Sequence, residues 1–379
     1  MSEDPTAKMS DVMPKSFEDL IKDVHEKDIC GECGGCVSFC TAADIGAIEI
    51  TEDGPPRYSN KENCLHCGIC YLICPETFEL RNELNKKYDF KPPIGHWFKI
   101  VTAQAKDPKI WEVATDGGVV SAILIALLDN NLINGVLISK KVNSFQRKPF
   151  FAKSKEEILE AAGTYYDLKG PIPELGKYNT FVSTISELKK IVDSDYMKIA
   201  VVGVPCQIHS IRKMQELNII PAHIVKYTLG LFCYENFKFD DVARAKIEER
   251  FKFSFKDIEK INIKDNLIIN LRNKDTPLKI EFADLRDIMR HACRVCENFS
   301  NYFADISFGG LGSQKGYTTV MVRTKTGERI YNLAQNKGYI VEPNELNTSV
   351  EKSKILAQII SFSKRKIKRA EDFELRRVT

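Results

Sequence analysis

Eight cysteines between positions 30 and 74 constrain this chain more than any other feature. They read CGECGGCVSFC from Cys30 and CLHCGICYLICP from Cys64, and both stretches carry the spacing C-x2-C-x2-C-x3-C. A C-x2-C-x2-C loop winds its backbone around a cubane [4Fe-4S] cluster and offers three thiolates; a more distant fourth closes the site. Gly31, Gly34, Gly35 and Gly68 allow the chain to turn close to inorganic sulfide. Zinc is the alternative for paired C-x2-C spacing. Two quartets of identical spacing favour iron.

The pattern is that of bacterial two-cluster ferredoxins, in which the fourth cysteine of each run serves the other cluster. It assigns Cys30, Cys33, Cys36 and Cys74 to one [4Fe-4S] and Cys64, Cys67, Cys70 and Cys40 to the second. Thr41 stands where the pattern has a proline after the first quartet, whereas Pro75 is present after the second. That change alters a turn and leaves the ligand set intact.

With 379 residues, 43% hydrophobic and 28% charged, the chain has room for a small module and one sizeable domain. No apolar run approaches the roughly 18 residues needed to span a bilayer. The N-terminal MSEDPTAKMSDVMPK is polar and acidic, unlike a secretory signal. Twelve cysteines without an export signal point to metal-bound thiolates in a reducing compartment. The expected location is cytoplasmic, at most peripheral to a membrane complex. The net charge of +3 is unevenly spread: residues 25–80 carry three basic and ten acidic side chains and residues 1–24 three and six, leaving +13 for the remainder. A basic body suits an anionic cofactor or substrate.

The expected architecture is mixed, α+β or α/β. An arm and helix (1–24) lead into a two-cluster ferredoxin domain (25–80), a linker (81–98), a large α/β domain (99–340) and a helical tail (341–379). Ser16-Phe-Glu-Asp19 has the form of a capping box opening a helix over about 17–26. Pro92-Pro93 and Gly95 mark the polar linker. Strands are predicted over 99–105 and in VLIS after Asn134-Gly135, in KIAVVG and in IVKYTLGLF, with helices over 118–129, 155–162 and 207–217. This alternation predicts a largely parallel sheet. KINIKDNLIINLRNKDTPLKIEFADL reads as a hairpin. The basic run KRKIKR in the tail reads as a solvated helix end or a subunit contact, since no nucleic-acid motif accompanies it.

Four cysteines remain: Cys206, Cys233, Cys293 and Cys296. Cys206 follows one predicted strand and Cys233 ends the next. If those strands are parallel neighbours joined by the helix 207–217, both thiols emerge at one sheet edge. Cys293-Arg-Val-Cys296 adds a pair. A third [4Fe-4S] cluster, a zinc site, and four buried thiols behaving as small hydrophobes all accommodate this number. Clusters move single electrons, so a hydride donor would require a flavin to divide the pair. Asp116-Gly117-Gly118 at a helix start and Gly309-Gly310-Leu-Gly312 after a strand offer two places for a dinucleotide.

Taken in order, GGVVSAIL, GTYY, GVPCQ, GLFCYEN, CRVCENFS, ADISFGGLGS and YTTVMVRT resemble the family of coenzyme F420 hydrogenase/dehydrogenase beta subunits over roughly residues 100–335. The leading ferredoxin module matches its longer members, the F420H2 dehydrogenase input subunit most of all. The resemblance implies FAD in the large domain, lined by Asp116, Gly117, Gly118, Val119, Gly163, Thr164 and Tyr166, with Gly309, Gly310 and Gly312 on the flavin side. It implies that Cys206, Cys233, Cys293 and Cys296 carry the domain's own [4Fe-4S], making three. It implies hydride exchange between coenzyme F420 and FAD in methanogenic archaea, without an acid–base triad. Single electrons would then pass to or from ferredoxin or a partner subunit of a hydrogenase, formate dehydrogenase, heterodisulfide reductase or membrane dehydrogenase. Asp116, Tyr165 and Asn298 stand where many members have Ser, Lys and Asp.

Overall fold

The computed structural model describes residues 14–378 except 52–53, 144–145, 164–165, 168–177, 180–183, 189–190, 192–197, 240 and 264–265. The first described element is an α-turn, Phe17–Leu20, that widens into a π-helical turn, Ile21–His25. The capping box forms, with Ser16 N donating to Asp19 Oδ2 at 2.7 Å. Phe17, Leu20 and Val24 face a small core shared with Val37, Ile48 and Tyr71. Within that module each cysteine run leads into a helix, α1 (Gly35–Ala42) and α2 (Ile69–Leu72).

The segment expected as a polar linker is a packed element. It contains α3 (Arg81–Lys87), which buries Leu84 completely. Phe90 lies with its ring centroid 4.6 Å from that of Tyr302. The buried Arg323 guanidinium donates to the carbonyls of Ile94, His96 and Ser300 and ties this segment to the large domain.

That domain is built on eight strands: β1 (Lys99–Ala105), β2 (Gly135–Asn143), β3 (Gln146–Ala152), β4 (Ile199–Gly203), β5 (Val225–Leu231), β6 (Ile306–Gly309), β7 (Thr318–Val322) and β8 (Ile340–Val341). Their order across the sheet is β8-β1-β7-β6-β5-β4-β2-β3. Only β2, β4, β5 and β6 run parallel; the flanking pairs are antiparallel. The sheet is therefore mixed, not largely parallel. The Gly-rich connection 310–317 between β6 and β7 is too short for the dozen-residue crossover that a parallel pair requires, so it closes a hairpin. The region expected as one hairpin is a three-strand meander, Ile258–Ile263, Leu267–Leu271 and Leu278–Ile280, with Tyr166–Asp167 added at its edge.

Alternation along the strands sends successive side chains to opposite faces. Val101, Ala200, Phe308 and Val320 pack with α4 (Val119–Asp129), α5 (Lys155–Ala161) and α7 (Lys325–Asn336). Ile199 and Val201 face the other way, onto Ile208, Ile211 and Met214 of α6 (Pro205–Glu216) and onto Cys33, Phe39 and Ile73 of the cysteine-rich module. Ile100 and Met321 receive the long C-terminal helix α8 (Ser349–Val378) through Ile355, Ile359 and Phe362. Module and tail thus share one face of the sheet. Among the described residues no helix is long and apolar enough to cross a membrane.

Candidate cofactor cleft and cysteine centres

Strands β4, β5 and β6 end side by side, and ligands of such sheets bind beyond the carboxyl ends of parallel strands. A cleft of about 340 Å³ lies there, within the size range of roughly 300–1,000 Å³ typical of cofactor pockets. Asp116, Gly118 and Val119 line it from the start of α4, Gly163 from beyond α5, and Gly309 and Gly310 from the end of β6. Gly118 has φ +71°, and a Cβ there would lie 2.5 Å from Ile110 Cγ2. At Gly310 a Cβ would lie 2.6 Å from Asp116 Oδ2, so the carboxylate rests directly on glycine backbone. A side chain at either position would take space from the cleft or its support, which is how a cradle for a large planar group is kept open.

The other expected residues lie elsewhere. Gly117 is wedged behind the lining, its N–H donating to Thr318 Oγ1 at 3.0 Å. Gly312 turns against α8, where a Cβ would lie 3.1 Å from Ile355 Cγ1. Tyr166 belongs to the edge strand of the smaller sheet. Thr164 and Tyr165 lie outside the described residues.

The four cysteines of the body converge from three segments. β4 and β5 are parallel neighbours, and Cys206 and Cys233 follow them. Asn236, which sequence reasoning overlooked three residues after Cys233, joins two of the sulfurs: its side-chain amide donates to Cys233 Sγ at 3.2 Å and its backbone N–H to Cys293 Sγ at 3.4 Å. Burial pushes the Cys206 thiol well up, with the charges of Cys33 and Cys296 adding to it. Burial likewise pushes Cys233 up to about 12. Thiols so placed stay protonated at neutral pH and become thiolates only against a bound cation. The spacing speaks to which cation. Among the described residues the group of three metal-binding side chains with ligand atoms within 4.8 Å is Glu18, Cys64 and His66, so no three body sulfurs are that close. A tetrahedral zinc with bonds of about 2.3 Å would bring all four within roughly 3.8 Å of one another. As placed, the four sulfurs lie further apart than a bound zinc would hold them.

In the module, the Cys74 thiol is within electrostatic reach of Cys33 and Cys30, and the Cys40 thiol within reach of Cys64 and Cys67. Cys36 is within electrostatic reach of both Cys33 and Cys70, one from each group. The module also touches the body centre: a Cβ built on Gly31 would lie 3.6 Å from Cys206 Cβ. Cys233 belongs to the cleft wall. A run of cysteines within electrostatic reach of one another therefore leads from the cleft through Cys233 and Cys206 to Cys33, and on through Cys36 and Cys70 to Cys67, the one exposed cysteine of the twelve.

Buried cations surround this run. Arg290, 3% exposed, pairs with Glu32 at 2.9 Å and donates to Gly31 O, joining body to module. Lys213 Nζ donates to the carbonyls of Cys74 and Thr77. Lys366 Nζ donates to Cys233 O at 2.7 Å and Asn298 O at 3.0 Å, and Arg369 binds Glu235 and the carbonyls of Tyr234 and Cys293. The basic tail run is therefore solvated only in part: Lys364, Arg365 and Lys368 are exposed, whereas Lys366 and Arg369 turn inward. Lys366 and Arg369, three residues apart, share the helix face that meets the sheet, and that spacing was the legible signal.

The family model for the C terminus of the coenzyme F420 hydrogenase/dehydrogenase beta subunit matches residues 196–346, and that for its N-terminal part matches residues 100–175. A subunit of the F(420)H(2) dehydrogenase of Methanosarcina mazei is 26% identical over 85% of this chain and 87% of its own length. The F420-dependent formate dehydrogenase subunit beta of Methanocaldococcus jannaschii is 30% identical over 70% of this chain and 68% of its own. Among solved structures, a chain of the F420-reducing [NiFe] hydrogenase complex from Methanosarcina barkeri superimposes with a TM-score of 0.62 at 27% identity, covering 75% of this chain and 93% of that one.

Proposed function

The chain belongs to the family of coenzyme F420 hydrogenase/dehydrogenase beta subunits, and from that premise we propose that it is an iron–sulfur flavoprotein oxidoreductase. It exchanges hydride with coenzyme F420 at an FAD held in the cleft. Single electrons pass through three [4Fe-4S] clusters to or from a partner subunit or ferredoxin. FAD, when bound, supplies the step that divides an electron pair into single electrons. The residues of the chain hold and orient. The first turn of α4, after Asp116 and Gly118, presents backbone N–H groups and the positive dipole end to a phosphate. Gly309 and Gly310 admit the ring system to the ends of the strands. Cys206, Cys233, Cys293 and Cys296 bind the nearest cluster, with Asn236 donating to two of its sulfurs. Cys30, Cys33, Cys36 and Cys74 bind the next, and Cys40, Cys64, Cys67 and Cys70 the outermost.

The single observation that carries this reading is Cys233, which belongs at once to the cleft wall and to the converging four-cysteine set. The relatives are named as subunits of dehydrogenases and hydrogenases, which supports work within a larger assembly. The test is anaerobic. Purified chain should contain about twelve iron atoms, four per cubane, and release flavin on acid precipitation. Mixed with reduced coenzyme F420 and a viologen, it should reduce the dye. Intact clusters and flavin without dye reduction reject coenzyme F420 as the hydride partner. Clusters without flavin leave a non-catalytic electron-transfer subunit.

A further inference from the structure

We infer that Lys366 is the built-in counter-cation of the centre held by Cys206, Cys233, Cys293 and Cys296, and that it sets the reduction potential of that centre. The inference rests on the reading of those four cysteines as a cluster site. Lys366 is 1% exposed, which places it among the largest fully buried side chains of the protein. Its two hydrogen-bond partners, the carbonyls of Cys233 and Asn298, are neutral. No carboxylate forms an ion pair with it among the described residues. Its neighbours differ in this respect, since Arg369 is matched by Glu235 and Arg290 by Glu32. Glu76 and Glu235 feel the charge of Lys366 without bonding to it.

An ammonium withdrawn from water without an anion is costly and sheds its proton. Lys366 Nζ is held 2.7 Å from the carbonyl oxygen of Cys233, one of the four ligands proposed for the centre. Alongside Glu235, the proposed cluster with its thiolates supplies the countercharge. That set and the iron it binds are anionic, and gain one further negative charge with each electron accepted. A fixed positive charge in a low-dielectric site favours the more negative state, which raises the potential. The charge is carried by α8, so the tail that closes one face of the sheet also tunes the centre nearest the cleft. In this role Lys366 is a positioning and tuning residue and touches no reacting atom.

The experiment is a redox titration followed by electron paramagnetic resonance on full-length, cluster-loaded protein. In K366Q, which keeps a hydrogen-bonding head and loses the charge, the midpoint of the body cluster should move to a more negative potential, while both module clusters stay in place. K366R, which restores the charge, should return it towards the wild-type value. E235Q, which removes a negative charge from the same surroundings, should shift it the opposite way. An unshifted body cluster in iron-replete K366Q overturns the inference, as does an equal shift of all three clusters. If K366Q loses iron, E235Q decides, and an unmoved potential there overturns it equally. Wild-type protein with only about eight iron atoms would instead overturn the cluster reading itself, a result distinct from any variant's shift.

Discussion

The two cysteine regions, both proposed to hold iron–sulfur clusters, bring their thiols together by opposite routes. In the N-terminal module the eight thiols sit on two short loop–helix segments, and in the proposed assignment each segment supplies most of its own site. In the body, four thiols come from three segments between Cys206 and Cys296, and beyond the local pair Cys293 and Cys296 they meet only once β4, β5 and the segment before β6 have packed. Their surroundings differ as well. The module is acidic and reaches the surface at Cys67. The body centre is enclosed and ringed by Arg290, Lys366 and Arg369. A local site is specified by spacing and stays adaptable; an assembled site is specified by the scaffold and can recruit charges from distant parts of the chain.

The largest test of that contrast is C293S. It should empty the body centre, lower iron by about four atoms per chain, and cut electron transfer from the cleft to the module by at least about 100-fold, as even outer-shell losses at metal sites reach. The module spectrum should persist. Loss of all iron would mean that the two regions are not independent. The next probe addresses their contact. A Cβ on Gly35 would lie 1.9 Å from Ser210 Oγ and 3.0 Å from its Cβ. G35A should therefore loosen module from body, lowering the denaturation midpoint by an amount equivalent to roughly 2 kcal/mol, the usual scale of overpacking. A smaller effect is expected inside the cleft. G310A places its methyl against Asp116 and should weaken flavin retention about tenfold, measured by fluorescence of released flavin, again on the overpacking scale.

The mildest effect is a pH dependence at the interface. His209 lies 5.0 Å from the Phe303 ring, and its Nε2 has no hydrogen-bond partner among the described residues. Burial, with the charges of Lys213 and Arg81, holds its pKa well below the ordinary value. Burial also lowers His25, in the module, to about 4. Unfolded chain takes up protons near pH 6.5 that the folded chain refuses, so the stability present above that pH falls as pH drops below it, by at most about 1.4 kcal/mol per unit for each group. Chemical denaturation between pH 7 and 5 should show a flatter slope for H209F than for wild type. Equal slopes would place the proton uptake elsewhere.

Much of the module was legible because its information is local. Cysteine spacing and the Ser16–Asp19 capping box involve residues within a few positions of one another. The same holds for most strands and helices of the body and for the glycines at the start of α4 and the end of β6. The linker was misjudged because Leu84, Phe90 and Ile94 are dispersed among polar residues, and their burial depends on Tyr302 and Arg323, more than 200 positions away. The direction of β7 turned on the length of one loop, and the fate of the basic tail on what α8 packs against. Sequence by itself determined which side chains can ligate metal and which backbone positions stay bare, since these are properties of residue type and near spacing. Only the tertiary structure decided that Cys233 borders a cleft, that Cys206 meets the module at Gly31, and that Lys366 is buried against the carbonyl of Cys233, because burial depends on what the rest of the chain brings alongside.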